Sequence, residues 1–288
     1  MNARVNEAEL AALIQLIDDP DEEIYGAVSQ RIVGYGKTVL PQLEQEWETC
    51  EQPDQQLRID ALIQRIHFDE VTRRFDHWRM EENPSLWSGL LILDQLHHRE
   101  DRTEALNRSL ELVRRNAWLE LNQYLTPLEQ INVLSRVLFE HNGFKPIEPV
   151  RERMEHYFIG DVLLKRAGNQ MGLGMLLLVL ADELDLPLEA LQVPGLFVLG
   201  SPNPFATQHA SGIETFDFFV DPQTGELFGR VEIEQYLRRT KQPMDAEYFA
   251  PHSNVKLVEN WLYQLGKKAI ENQDTPLNEQ IIRLLGRL

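Results

Sequence analysis

Gly168-Asn169-Gln170-Met171-Gly172-Leu173-Gly174, with Met175-Leu176-Leu177-Leu178-Val179-Leu180 behind it, is the most hydrophobic segment of an otherwise acidic chain. It has no polar stripe. A helix that is apolar all round must be covered all round, so other elements have to wrap around this one. Three glycines within seven residues at its start allow another backbone to approach closely. The pattern stops at Leu186-Pro187. The start of a buried helix is also a usual place for a nucleophile or an anion, because its free N–H groups and dipole favour negative charge. The run is too short and too closely flanked by charge to span a bilayer.

The N-terminal third reads as helices. Leu10, Leu13, Ile14 and Ile17 form one apolar face. Ile24, Val28 and Ile32 carry a second helix, and Val39, Leu40, Leu43 and Trp47 mark a third. The order helix, Asp18-Asp19-Pro20-Asp21, helix, Gly34-x-Gly36, Val39-Leu40-Pro41-x-Leu43 resembles a HEAT-type repeat, in which a short acidic turn with proline joins two antiparallel helices. Leu57, Ala61, Leu62 and Ile66 fit a degenerate second copy. Such a segment either offers a protein-contact surface or caps the next domain.

Further on, Leu86, Trp87, Leu90, Leu91 and Leu93 make a helical face, and Thr103 to Leu121 makes another helix. Thr126-Pro127-Leu128-Glu129 has the residues of a helix start with a capping box, and Asn142-Gly143 is its stop. Gln192 to Leu199 reads as one short strand. Ile213 to Val220 reads as a second, and Glu226-Leu227-Phe228 returns as a third after the turn Asp221-Pro222-Gln223-Thr224-Gly225. Helices are expected from Val231, over Asn254 to Lys268, and from Thr275-Pro276.

An ordered set of motifs resembles the bacterial SirB-type, transglutaminase-like family over roughly residues 85–250. It comprises Leu134 to Phe144, Tyr157 to Leu163, Gly168 to Leu180, Leu184-Asp185-Leu186-Pro187, Val193-Pro194-Gly195-Leu196-Phe197 and Val220-Asp221-Pro222. The resemblance implies an α+β, mostly helical chain with a papain-like transglutaminase core over 81–250, its central helix on a small antiparallel sheet. A HEAT-like helical segment over 1–80 precedes the core. A C-terminal helical hairpin over 251–288, all that fits of the tetratricopeptide-like segment common in the family, packs on it.

In the wider superfamily a cysteine opens the central helix, a histidine follows on one strand and an aspartate on the next orients it. The helix dipole and the imidazolium favour the thiolate, which attacks an amide or ester carbonyl. Carried over by the family's spacing, the nucleophile falls on Gln170, the histidine on Leu196 and the aspartate on Asp221. Glutamine has no atom to activate as a nucleophile, and leucine transfers no proton. Asp221 keeps its residue type, and an Asp-Pro at a strand end also shapes a turn. His156, Gly168, Asn169, Gly172 and His209 are expected around the pocket, His156 as a structural residue at its rim. Ser201, Thr207 and Ser211 are the hydroxyls that a relocated nucleophile would draw on, with His209 as base.

The remaining chemistry is sparse. Cys50 is the single cysteine, flanked by carboxylates that disfavour a thiolate, and it reads as an incidental surface or packing residue. One cysteine excludes a disulfide framework and points to a reducing compartment. His67, His77, His97 and His98 lie in charge-rich helical sequence. No His-x-x-x-His pair with a third ligand occurs, and neighbours on a helix point apart, so these four read as solvated or locally hydrogen-bonded, with no metal site and no cofactor. A net charge of −18 argues against a nucleic-acid partner. The polar start lacks a signal-type apolar core, and a cytoplasmic protein without membrane contact is expected. The leading expectation is a catalytically inactive transglutaminase-like protein that binds a protein partner as a scaffold. The alternatives are a hydrolase or acyltransferase with a relocated nucleophile, and a pocket in which Gln170 and Asp221 hydrogen-bond a peptide or small amide.

Overall fold

A computed structural model describes residues 7–206 and 212–288. The chain divides into two compact units, Met1–His77 and Trp78–Leu288. The division lies three residues before the expected boundary at 80. Trp78 shows why: its indole N–H donates to the Ser85 carbonyl at 2.7 Å, and its ring covers Gly89, where a Cβ would come within 2.6 Å of it.

The first unit contains α1 (Glu7–Gln15), α2 (Glu22–Gly34), a 3-10 turn (Gly36–Val39), α3 (Leu40–Thr49) and most of α4 (Pro53–Arg79). Asp21 caps α2 by accepting the Glu23 N–H. Leu10, Ile14, Ile17, Val28, Ile32, Leu43, Ile59, Leu62 and Ile66 form one apolar cluster. The α1 end is tied down by Arg58, whose guanidinium donates to the Ile17 and Asp19 carbonyls at 2.9 and 2.7 Å and lies 4.3 Å from the Tyr25 ring centre. Ile24, Trp47 and Leu57, read from spacing as core-facing, are instead 39%, 43% and 69% exposed. Each sits near a helix end, where fewer neighbours cover the apolar face.

The second unit opens with α5 (Leu86–Asp94), α6 (Thr103–Glu120) and α7 (Pro127–Arg136). The Thr126–Glu129 capping box forms at the start of α7. A π-type turn, Val137–His141, continues α7, and Gly143 follows at φ +69°. The two-residue strands β1 (Lys145–Pro146) and β2 (Ala167–Gly168) pair in parallel and enclose α8 (Ile159–Lys165). No side chain of Phe158 caps α8. Asp94 from α5 serves instead, its Oδ1 accepting the Gly160 N–H at 3.0 Å.

The central helix α9 spans Gln170–Glu183, with residues 171–181 all buried. It packs on α6, α7, α8 and β4, so its cover comes from both helices and sheet. The sheet has four antiparallel strands in the order β3 (Glu189–Val193), β4 (Leu196–Pro202), β5 (Phe216–Val220) and β6 (Leu227–Phe228). The single strand expected over 192–199 is therefore a hairpin. Pro194 followed by Gly195 at φ +74° makes the type II pattern, and Val193 pairs with Leu196 across it. Residues 213–215, expected as the start of a strand, belong to a 3-10 turn, Gly212–Thr215.

The helices α10 (Arg230–Arg239), α11 (Asn254–Glu271) and α12 (Thr275–Leu285) belong to the same unit as the core. The α11 indole of Trp261 is 1% exposed, packs edge-on to Phe158 at 5.6 Å and donates to the Tyr157 carbonyl at 2.8 Å. Among the described residues no helix is long and apolar enough to cross a membrane. Replacing Trp261 by Phe leaves that buried carbonyl without its donor. Urea denaturation should show a loss of about 1–3 kcal/mol, the usual cost of an orphaned buried polar group. An unchanged midpoint would mean that the hydrogen bond does not tie α11 to the core.

Candidate functional site

The start of α9 is fixed from three directions. Asn169 is the N-cap, 4% exposed, and its side chain accepts the Gly172 N–H at 2.8 Å. Arg166 ends α8 in the left-handed region at φ 54°, and its guanidinium donates to the Asn142 carbonyl at 2.9 Å. The β1–β2 pairing then sets the path into α9. A Cβ on Gly168 would come within 2.9 Å of Val162, and one on Gly172 within 3.0 Å of both Val162 and the His156 carbonyl oxygen. These two glycines let α8 and the His156 backbone close in behind the helix start. Gly174 serves the other side, where a Cβ would meet the Phe197 ring at 2.5 Å and Pro222 at 3.0 Å.

Gln170 is the first residue of α9, and its amide N–H donates to the Phe197 carbonyl at 3.0 Å. Leu196 is the first residue of β4. Asp221 follows β5, its Oδ1 accepting the Gln223 N–H at 2.8 Å, its N–H donating to Glu226 at 2.9 Å and its carbonyl accepting from Gly225 at 2.8 Å. Those bonds commit Asp221 to a turn. The three positions do not open into one pocket. A cleft of about 380 Å³ is lined by Gln170 and Leu196, and a second of about 280 Å³ by Asp221 and Leu196. Leu196 and Phe197 form the wall common to both, and the Phe197 ring lies against Gly174 and near Pro222.

Of the other residues expected around the pocket, Asn169 lines the first cleft. Gly168 and Gly172 face Val162 instead, because the close packing of α8 takes the space their missing side chains leave. His156 sits behind the same helix start, buried at 8% exposure. Its Nδ1 accepts the Arg153 N–H at 2.9 Å, and its carbonyl accepts from Asn169. Burial pushes its imidazole below the usual histidine range, with Glu155 nearby pulling the other way. Ser201 is fully buried, out of reach of a substrate. His209, Thr207 and Ser211 lie outside the described residues.

The first cleft is polar: Glu152, Tyr157, Gln192, Gln264 and Lys267 line it with Gln170. Tyr157 donates to Glu152 at 2.7 Å, and burial, then the Glu152 carboxylate, push its phenol well above the usual tyrosine range. Gln264 and Lys267 carry no signal of this site in the sequence, because they come from α11, nearly a hundred residues beyond Gln170. Their i, i+3 spacing places both on one helix face, but nothing local marks that face as part of a site.

Two measurements probe this geometry. In Gly174→Ala the added methyl meets Phe197, and the overpacking cost of about 1–3 kcal/mol should outweigh the gain in helix propensity of roughly 1 kcal/mol. The variant is expected to unfold at lower urea than the parent, and a stabilised variant would place Phe197 elsewhere. His156 sets a pH effect. Its folded-state affinity for a proton is lowered, so the unfolded chain binds the proton first as pH falls. The stability it contributes is present above about pH 6.5 and is lost on acidification. Thermal midpoints should fall between about pH 7.5 and 5.5, and less steeply in His156→Asn. Equal slopes would rule the imidazole out as the cause.

The family description "Transglutaminase-like superfamily" matches residues 103–263, more than half of the chain. Protein SirB1 of Salmonella typhimurium (strain LT2) and of Salmonella typhi are each 28% identical over 170 residues, 58% of this chain and 58% of theirs. The UPF0162 protein YchA of Escherichia coli K12 is 25% identical over 199 residues, 67% of this chain and 69% of that protein. The chain thus spans less than two thirds of the SirB1 length. No solved structure matches it. With a central helix, a small antiparallel sheet and these matches, the chain belongs to the SirB-type, transglutaminase-like family.

Proposed function

We propose that this chain is a catalytically silent member of its family and binds a peptide segment of a protein partner at the cleft beside Gln170. The observation that carries the proposal is the occupied helix start. The Gln170 amide is spent on the Phe197 carbonyl, at the position where the family's motif spacing puts a thiol. Leu196, at the position of the base, is a hydrocarbon. Asp221 holds its own turn. Among the described residues, the lining contains no cysteine, serine, threonine or histidine. What it offers is amides, a carboxylate, a phenol and an ammonium, which donate to and accept from a peptide backbone without reacting with it. A relocated hydroxyl finds no support at Ser201, which is closed off from solvent.

The test has two arms. Incubation with a glutamine-bearing acceptor protein and a fluorescent primary amine, or with an activated ester, should give no turnover above buffer. Cys50→Ser and thiol alkylation should change nothing. Turnover that either treatment abolishes would overturn the silent reading. In the second arm, glutamine-containing peptides titrated into labelled protein should shift the amide resonances of Gln192 and Gln264, and Lys267→Ala should weaken that binding. Shifts confined to other surfaces would move the binding site away from this cleft.

A further inference from the structure

His97 and His98 follow the end of α5 at Asp94 rather than lying on the helix. Adjacent histidines point apart on a helix, but these two do not lie on one. The two rings are 4.8 Å apart and nearly perpendicular. Asp161 of α8 joins them, and one ligand atom from each of His97, His98 and Asp161 lies within 4.8 Å of the others. The His98 Nε2 is 2.8 Å from Asp161 Oδ2. Two donors that share one ion at bond lengths of about 2.0–2.2 Å stand roughly 3 Å apart, so this edge of a coordination shell is already in place.

The surroundings hold the three donors. The His97 ring stacks on Phe158 at 4.9 Å and 8°, and Phe158 is fully buried against Trp261. Asp161 is 3% exposed. Its other oxygen, Oδ1, is approached by Arg102 at 3.3 Å and Lys165 at 3.5 Å, which leaves Oδ2 facing His98. Those cations have closer partners of their own. Arg102 lies 2.7 Å from Asp94, and Lys165 lies 2.6 Å from Glu155. With those pairs balanced, the site amounts to two imidazoles and one carboxylate, a donor set that suits borderline divalent ions better than magnesium or calcium. Hydrogen bonds to the far side of a ligand carboxylate are also what orients such ligands.

We propose that His97, His98 and Asp161 bind a divalent transition-metal ion of the zinc or cobalt type. This site is separate from the cleft beside Gln170 and would tie the turn after α5 to α8. The competing occupant is a proton, since a protonated His98 would satisfy Asp161 without metal. Binding requires that proton to leave.

The full chain, free of any histidine tag, is titrated with zinc chloride by calorimetry and with cobalt(II) by visible absorption. One equivalent should bind with ligand-field bands, and zinc should raise the melting temperature by mass action. His97→Ala, at the exposed edge of the cluster, and His98→Ala should each weaken binding by at least the roughly 10–100-fold that loss of even an outer partner costs. His141→Ala, next to Glu120 elsewhere on the surface, should leave it unchanged. Circular dichroism of each variant separates lost ligation from lost fold. Absence of binding up to millimolar metal, or binding that survives the His97→Ala, His98→Ala double variant, would overturn the proposal.

Discussion

The burial of α9 is the constraint on which the second unit depends. Eleven consecutive residues, 171–181, are buried, so no direction around the helix is left to solvent. Fully burying one large aliphatic side chain is worth roughly 1.5–3 kcal/mol, and that gain exists only if cover is supplied on every side. The sheet alone covers one side through β4. The others fall to α6, α7 and α8, which is why so much helix surrounds so small a sheet. A helix sunk this deep must also satisfy its first N–H groups inside the protein. The Asn169 side chain does so for Gly172, and the Asn169 carbonyl accepts from Leu173.

A second constraint follows at α8. It is only seven residues long and has no capping side chain of its own, yet it must stand close enough to α9 for Val162 to fill the space at Gly168 and Gly172. The carboxylate of Asp94 supplies the cap across the fold, and Arg102 neutralises it. Gly160 is glycine because a Cβ there would come within 2.6 Å of both groups. Buried charge is expensive unless paired, and here the pairing joins α5, α8 and the residue that precedes α6.

What the sequence disclosed follows the range of each interaction. The Thr126–Glu129 box and the apolar all-round character of α9 are carried by neighbouring residues and were legible. The β3–β4 hairpin was not, because Leu191 to Leu199 is apolar apart from Gln192, so that Pro194-Gly195 sits inside what looks like one continuous strand. A proline ahead of a glycine is turn chemistry even inside an apolar run. Ile24 and Leu57 fit their helical faces by spacing and still ended exposed, since periodicity does not tell how far a neighbouring element extends. The meeting of His98 with Asp161, 63 residues apart, left no local mark at all. The same holds for Lys267 and Gln170.

The cleft beside Gln170 shows how the packing around a helix start decides what it can present. A reactive group there needs open space in front of it and a free base across from it. Here Phe197 holds the side chain that stands there: its carbonyl takes the Gln170 amide, and its ring rests on Gly174, the one glycine of the three that faces the sheet rather than α8. Gly174 and Phe197 thus act as a pair, since the ring reaches the helix only where a side chain is missing. The consequence reaches beyond position 170. With β4 held against α9, the Leu196–Phe197 wall stands between Gln170 and Asp221, each of which opens into its own cleft. The inactivity proposed for this chain is therefore a property of packing as well as of residue identity. A thiol placed at 170 would still meet a hydrocarbon at 196, and Asp221, on the far side of that wall, keeps its Oδ1 bonded to Gln223.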